Sequence, residues 1–227
     1  SWATTGTDPA AIAIDASGNV YTANQGANSI TKVAPDGTTT TSWAQTGARP
    51  EAIAIDASGN VYTANYDANT ITKVAPDGTT TASWAATDTG PRAIAFDASG
   101  NVYTANWGAH SITKVTSGGT ATASWATTGA RPEAIAIDAS GNVYTAHQGS
   151  STITKVAPDG TATASWAATG AGPRAIAIDA SGNVYTANYT ANTITKVAPD
   201  GTTTTSWAQT GARPLAIAID ASGNVYT

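Results

Sequence analysis

The sequence repeats itself every 41 residues. The segment Asp-Ala-Ser-Gly-Asn-Val-Tyr-Thr occurs six times, beginning at Asp15, Asp56, Asp97, Asp138, Asp179 and Asp220. A tryptophan recurs with the same spacing, at Trp2, Trp43, Trp84, Trp125, Trp166 and Trp207. A constant period of this length indicates a propeller or solenoid, in which each unit buries its surface against its neighbours. The repeat therefore determines the fold class, and function must be sought where the units differ.

Each unit contains the signals for four short strands, named a to d. In the second unit they are Glu51–Asp56, Val61–Asn65, Thr70–Val74 and Thr79–Ala85, which alternate or are rich in β-branched residues. The a–b connection Ala-Ser-Gly-Asn and the c–d connection Ala-Pro-Asp-Gly have the composition of tight turns. No segment has helical periodicity. We expect an antiparallel sheet from each unit.

Four antiparallel strands per unit are typical of a β-propeller blade. The sequence thus predicts an all-β propeller with six four-stranded blades; the alternatives are five blades or a fragment of a longer array. We expect one domain over residues 1–227, with units at 2–42, 43–83, 84–124, 125–165 and 166–206 and a partial unit at 207–227. The tryptophans are interpreted as core, each Asp before the a–b turn as a cap of that turn, and the strand c lysines as solvated side chains.

The strand count is uneven. Strands a, b and d occur six times, but strand c only five times. The incomplete last blade could therefore take part in self-association. Because the sequence contains no Met, even at its start, it reads as a processed chain or a region of a longer one.

Composition excludes several function classes. The chain has no Cys, so disulfides and thiolate metal sites are excluded, and no cofactor is expected. Its formal net charge is −5 with no basic patch, which argues against nucleic-acid binding. No apolar stretch is long enough for membrane insertion. A Thr-rich, weakly charged, Cys-free array suits an extracellular or cell-surface protein.

Two segments of the repeat carry a family resemblance. Pro-x-Ala-Ile-Ala-Ile-Asp-x-x-Gly-Asn-Val-Tyr, followed by Asn-x-Ile-x-Lys-Val, resembles the NHL repeats and the propellers related to virginiamycin B lyase. The resemblance implies a propeller, commonly six-bladed, that binds ligands or partners. For the lyase relatives it implies a His and an acidic residue around a metal near the axis. His110 and His147 are the only histidines and neither recurs in other units, so the resemblance assigns no active site.

Differences between units concentrate in the b–c and d–a loops. These loops should lie at the same end of an antiparallel blade, so the variation marks one face. Rigid aromatics beside small polar residues are typical of binding surfaces built on a rigid scaffold. The alternative is that these loops vary because nothing there is buried. The candidate ligand-binding residues are Gln25, Tyr66, Asp67, Trp107, His110, His147, Gln148, Tyr189, Arg49, Glu51, Arg92, Arg131, Glu133, Arg174 and Arg213.

From these residues we expect a non-enzymatic module that binds a glycan or a protein segment through this face. The first alternative is a structural spacer or an engineered symmetric propeller with no specific ligand. A lyase-like, metal-dependent enzyme is the third.

Overall fold

The computed structural model describes residues 4–227 and contains only β-strands as regular elements. The strands in chain order are β1 (Pro9–Ile14), β2 (Val20–Asn24), β3 (Ser29–Val33), β4 (Thr39–Gln45), β5 (Pro50–Ile55), β6 (Val61–Asn65), β7 (Thr70–Val74), β8 (Thr80–Ala86), β9 (Pro91–Phe96), β10 (Val102–Asn106), β11 (Ser111–Val115), β12 (Ala121–Thr127), β13 (Pro132–Ile137), β14 (Val143–His147), β15 (Thr152–Val156), β16 (Ala162–Ala168), β17 (Pro173–Ile178), β18 (Val184–Asn188), β19 (Thr193–Val197), β20 (Thr203–Gln209), β21 (Ala218–Ile219) and β22 (Val225–Tyr226). Among residues 4–227 there is no helix long and apolar enough to cross a membrane.

Consecutive strands pair in antiparallel fashion to form five four-stranded sheets and one two-stranded sheet. These are five complete propeller blades and part of another, which fits the six-bladed expectation. Strands b and c of the second unit have the predicted bounds, and strand d runs one residue later, Thr80–Ala86. Strand a begins at the proline, with a bulge between Pro50 and Ala52 where it pairs with β6. The predicted blade architecture is confirmed.

The packing divides the chain into two compact units. The first comprises the described residues through Phe96, with Gly100–Ala109 and Thr113–Ala123. It holds the first two sheets and most of the third. The second comprises Asp97–Ser99, His110–Ile112 and Ser124–Thr227, and holds the fourth and fifth sheets and the two-stranded sheet.

Within each unit, neighbouring sheets pack face to face. In the first unit Tyr21 and Ile30 of one sheet pack with Ile53, Val61 and Val74 of the next. In the second unit the equivalent cluster contains Tyr144, Ile153, Val184 and Val197. Side chains on both faces of a strand are thus buried, as the alternation of large and small residues predicts.

The tryptophans and the strand c lysines share one arrangement. The ring centroids of Tyr21 and Trp43 lie 5.3 Å apart, and Lys32 Nζ lies 5.5 Å and 5.4 Å from them. The same contacts recur at Lys73, Lys155 and Lys196. These lysines are half-buried, and their ammonium groups make cation–π contacts with two rings, which the interpretation as solvated side chains did not include. Trp43 is half-buried, whereas Trp2 lies outside the described residues.

The a–b turns are organised by their aspartates. Asp56 Oδ1 accepts hydrogen bonds from the Ser58 and Asn60 backbone N–H groups, both at 2.9 Å. Its Oδ2 accepts from Asn60 Nδ2 at 2.8 Å and from the Tyr62 hydroxyl at 3.0 Å. Burial alone would raise the pKa of Asp56, but these hydrogen bonds lower it below the usual value. The prediction that this Asp caps its own turn is confirmed.

Candidate functional site

The b–c and d–a loops of a blade lie side by side. In the second blade the Tyr66 N–H donates to the Arg49 carbonyl at 2.8 Å. In the fifth blade the Tyr189 N–H donates to the Gly172 carbonyl at 2.9 Å. The variable loops therefore share one end of each blade, as predicted. We call this the loop end, and the end with the a–b and c–d turns the turn end.

The residue before each d–a proline adopts a left-handed backbone conformation. Its φ is 57° at Arg49 and 68° at Gly90. The same conformation occurs at Asp8, Arg131, Gly172 and Arg213. This region of φ is unfavourable for residues other than glycine, so the surrounding structure must hold it in place.

A side chain of the preceding blade supplies that support. The Arg49 N–H donates to Asn28 Oδ1 at 2.8 Å, and the Gly90 N–H donates to Asn69 Oδ1 at 2.8 Å. The equivalent acceptors are His110 Nδ1, Ser151 Oγ and Asn192 Oδ1. His110 thus accepts a backbone hydrogen bond from Arg131 at 2.9 Å. Its place in the repeat is explained by this contact between blades.

This contact makes a testable prediction. Asn69→Ala should lower the free energy of unfolding by about 1 kcal/mol, because the Gly90 N–H loses its acceptor. Ser151→Ala is the matched control, since its bond to the Gly172 N–H is long at 3.4 Å and its loss should cost only a few tenths of a kcal/mol. Urea denaturation of both variants measures the difference. Equal losses would contradict this role.

In the first of the two compact units, the loop-end candidates surround Arg49, which lies in the second blade. Its guanidinium carbon lies 4.6 Å from the Tyr66 ring centroid. Its Nε lies 2.9 Å from Glu51 Oε1, and its Nη1 lies 3.7 Å from Asp67 Oδ1. The Tyr66 and Trp107 ring centroids are 6.4 Å apart. Arg49 is thus stacked on an aromatic ring and neutralised by two carboxylates.

In the second compact unit the loop-end candidates form a different set of contacts. Gln148 donates from its amide nitrogen to Glu133 Oε1 at 2.9 Å and accepts from Arg174 Nη2 at 2.9 Å, the amide orientation being assigned from these partners. The Arg174 and Arg213 guanidinium carbons lie 5.0 Å and 5.5 Å from the Tyr189 ring centroid. One tyrosine ring is therefore contacted by two arginines.

The remaining candidates occupy separate positions. Gln25 is half-buried in the first blade, where its N–H donates to the Asp8 carbonyl at 2.9 Å. Arg92 is half-buried directly after Pro91, and Arg131 is exposed. Sequence reasoning missed one signal here. All five arginines of the chain lie beside a d–a proline, before it at Arg49, Arg131 and Arg213 and after it at Arg92 and Arg174.

His147 lies inside its blade, not on the loop surface, and has no exposed area. Its Nε2 lies 2.8 Å from Thr145 Oγ1, and its Nδ1 lies 3.2 Å from Thr152 Oγ1. Other blades have Asn here; Asn65 accepts from Thr63 Oγ1 and donates to Thr72 Oγ1, both at 2.9 Å. Burial lowers the pKa of His147 to about 4. The ring replaces an amide in a buried polar network that the sequence did not reveal.

The residues do not fit the metal centre that the family resemblance implies. Both ring nitrogens of His147 are engaged by threonine hydroxyls, and His110 Nδ1 accepts a backbone bond. In the part of the chain that the structure describes, no three His, Cys, Asp or Glu side chains lie close enough together to bind a metal ion. Protein metal sites with catalytic roles commonly use three such ligands. No step through a metal is derived for this chain.

Sequence comparison identifies the family. The sequence model of the Virginiamycin B lyase family matches residues 2–227. The chain belongs to this family. No curated protein matches the sequence significantly.

Solved structures share the fold of this family member. Virginiamycin B lyase from Staphylococcus aureus superposes with a TM-score of 0.83 at 20% identity, over 96% of this chain and 76% of that one. A catalytically inactive variant of that lyase with quinupristin gives 0.79 at 20% identity, over 93% and 74%. A gluconolactonase from Xanthomonas campestris gives 0.70 at 16% identity, over 96% and 82%. The predicted lyase-like β-propeller is confirmed.

These comparisons correct the expectation of a module that is not an enzyme. That expectation was wrong, because the chain belongs to a family named for a lyase and its structural neighbours include a lyase and a gluconolactonase. It was based on the absence of a catalytic constellation in a single sequence.

Proposed function

We propose that this virginiamycin B lyase family member binds an organic ligand through the loop ends of its blades. The observation that carries the proposal is the packing of guanidinium groups on tyrosine rings there, at Arg49–Tyr66 and at Arg174–Tyr189–Arg213. Such rings are rigid and present an apolar face beside hydrogen-bond donors. They vary between blades while the strands beneath them do not, which separates specificity from stability.

The chemistry suits a glycan or a protein segment. Tyrosine rings pack against the apolar faces of sugars or side chains, while Arg, Gln and Asp groups supply directional hydrogen bonds. Neighbouring blades within one compact unit can contact one extended ligand, which raises the overall affinity. An extracellular or cell-surface location would place the chain near such ligands, and we include it in the proposal.

Array binding tests the proposal. The fluorescently labelled protein should bind members of a glycan or peptide array, and Tyr66→Ala or Tyr189→Ala should weaken the hits by roughly tenfold, the effect of losing one aromatic contact. Tyr226→Ala is the matched control, because Tyr226 is 57% exposed but lies in the two-stranded sheet, outside the loop ends. Hits that both variants bind as strongly as wild type, or an array without hits, would contradict the proposal.

Family membership favours a second candidate, in which the bound ligand is a substrate that is cleaved by elimination. Quinupristin, which the Staphylococcus aureus structure contains, is the direct probe. Incubation with the protein, followed by liquid chromatography and mass spectrometry, should show consumption of quinupristin and appearance of a product. Unchanged quinupristin after prolonged incubation with several divalent cations would argue against this substrate.

A further inference from the structure

We propose that the cluster around Tyr189 binds a carboxylate group of the ligand. This inference rests on the proposed function and specifies the ligand's charge. The cluster consists of Tyr189, Arg174, Arg213 and Gln148, all in the second unit.

The cluster around Tyr189 carries two positive charges. Two guanidinium groups lie within 5.5 Å of one ring centroid. Among residues 4–227 no carboxylate lies within ion-pair distance of Arg174 or Arg213. Arg174 reaches Glu133 only through the Gln148 amide. The ring is therefore flanked by two positive charges that no acid neutralises directly.

An internal comparison shows that this charge is a departure from the repeat. Arg49 and Arg213 occupy the same position before a d–a proline. After the proline, Glu51 contacts Arg49 at 2.9 Å, whereas Leu215 stands at the equivalent place beside Arg213 and is 63% exposed. Replacement of the acid by leucine leaves Arg213 exposed and unneutralised. A ligand carboxylate would supply the missing negative charge.

Neighbouring groups hold both arginines of the cluster in position. Asn192 Oδ1 accepts from the Arg213 N–H at 2.7 Å and fixes the backbone from which that side chain extends. Gln148 holds Arg174 Nη2, while Arg174 Nε is shielded from solvent and has no acceptor. Guanidinium groups bind carboxylates through paired N–H donors, and a ring beside them can pack the adjacent carbon atoms. The site thus fits a carboxylate attached to a small apolar body.

The carboxylate could come from an acidic sugar or from an acidic peptide side chain. Two matched probe pairs separate these sources: glucuronate with glucose, and N-acetylglutamic acid amide with N-acetylglutamine amide. Each probe is titrated into the ¹⁵N-labelled protein. Backbone amide shifts at residues 189–192, 212, 213 and 215 report binding. The acid of at least one pair should bind in preference to its neutral partner, and the pair with the larger preference identifies the source.

Arg213→Gln should weaken binding of that acid by roughly tenfold, because one charge-assisted contact is lost. Lys196→Gln is the control, since it removes the same charge from near the turn end of the blade that carries Tyr189 and should leave acid binding unchanged. The inference is wrong if neither acid is preferred or if Arg213→Gln has no effect. Neutral probes that bind these residues as tightly as the acids do would overturn the inference but leave the proposed function standing.

Discussion

We expect His147→Asn to remove a loss of stability between pH 6.5 and pH 4. Burial holds the folded-state pKa of His147 at about 4, whereas an unfolded chain has a histidine pKa near 6.5. Above pH 6.5 the ring is neutral in both states. As the pH falls towards 4, only the unfolded state gains the proton, so wild-type stability should decline by about 3 kcal/mol. The variant restores the amide found in four other blades and cannot titrate.

Urea denaturation at intervals from pH 7 to pH 4 measures this slope. Hydrogen bonds lower the pKa of Asp138 and its equivalents below 3.8, so their stabilisation begins to be lost below about pH 5. This loss is the same in wild type and variant, so the difference between the two slopes isolates His147. His110→Asn is the matched control, because it also converts a histidine to the repeat's asparagine but at an exposed position. In this variant His147 remains, so the loss of stability that His147 causes between pH 6.5 and pH 4 should remain. Equal slopes in His147→Asn and wild type would show that groups other than His147 cause the loss.

The second large effect concerns two isoleucines that occupy equivalent positions in the repeat but differ in burial. Ile53 and Ile12 occupy the same position of strand a in adjacent units, yet Ile53 is 9% exposed and Ile12 is 66% exposed. Ile53 packs against Tyr21 and Val61, so Ile53→Ala should leave a cavity and cost about 2–4 kcal/mol. Ile12→Ala removes little buried surface and should cost no more than about 0.5 kcal/mol.

Thermal and urea unfolding of both variants provide the comparison. The two substitutions delete the same atoms at the same place in the repeat, so differences in strand propensity cancel. Only packing against a neighbouring sheet distinguishes them. Similar losses from both would mean that the Ile12 face is covered in solution.

Much of the fold could be predicted from the sequence because the same pattern of strands and turns recurs along the chain. Val61–Asn65 and Thr70–Val74 were predicted as strands with their observed bounds, since turn residues flank both segments. The location of the variable loops followed from antiparallel pairing alone. The ring contacts of the strand c lysines were not predicted, because stacking on Tyr and Trp depends on cross-strand neighbours that a linear pattern does not show.

The candidate site was harder to predict, since the identity of a residue does not reveal where its side chain points. His147 directly precedes a variable loop, but its side chain points inward and takes part in the threonine network. His110 accepts a backbone bond from the following blade, a contact across 21 residues. The pairing of Arg174 and Arg213 on one tyrosine likewise joins residues that lie far apart in the sequence.

The placement of charge along each blade has an electrostatic consequence. The a–b and c–d turns carry ten aspartates, against which strand c provides five lysines, so this end accounts for the whole net charge of −5. Every arginine lies at the opposite end, where it is balanced by five acids. The fourth and fifth blades are therefore polarised along their strands, because each has two aspartates and one lysine at the turn end and no net negative charge at the loop end. In dilute salt an anion is repelled by the aspartates at the turn ends of these two blades, so it should reach their arginines more readily from the loop end, and this preference should weaken as ionic strength rises.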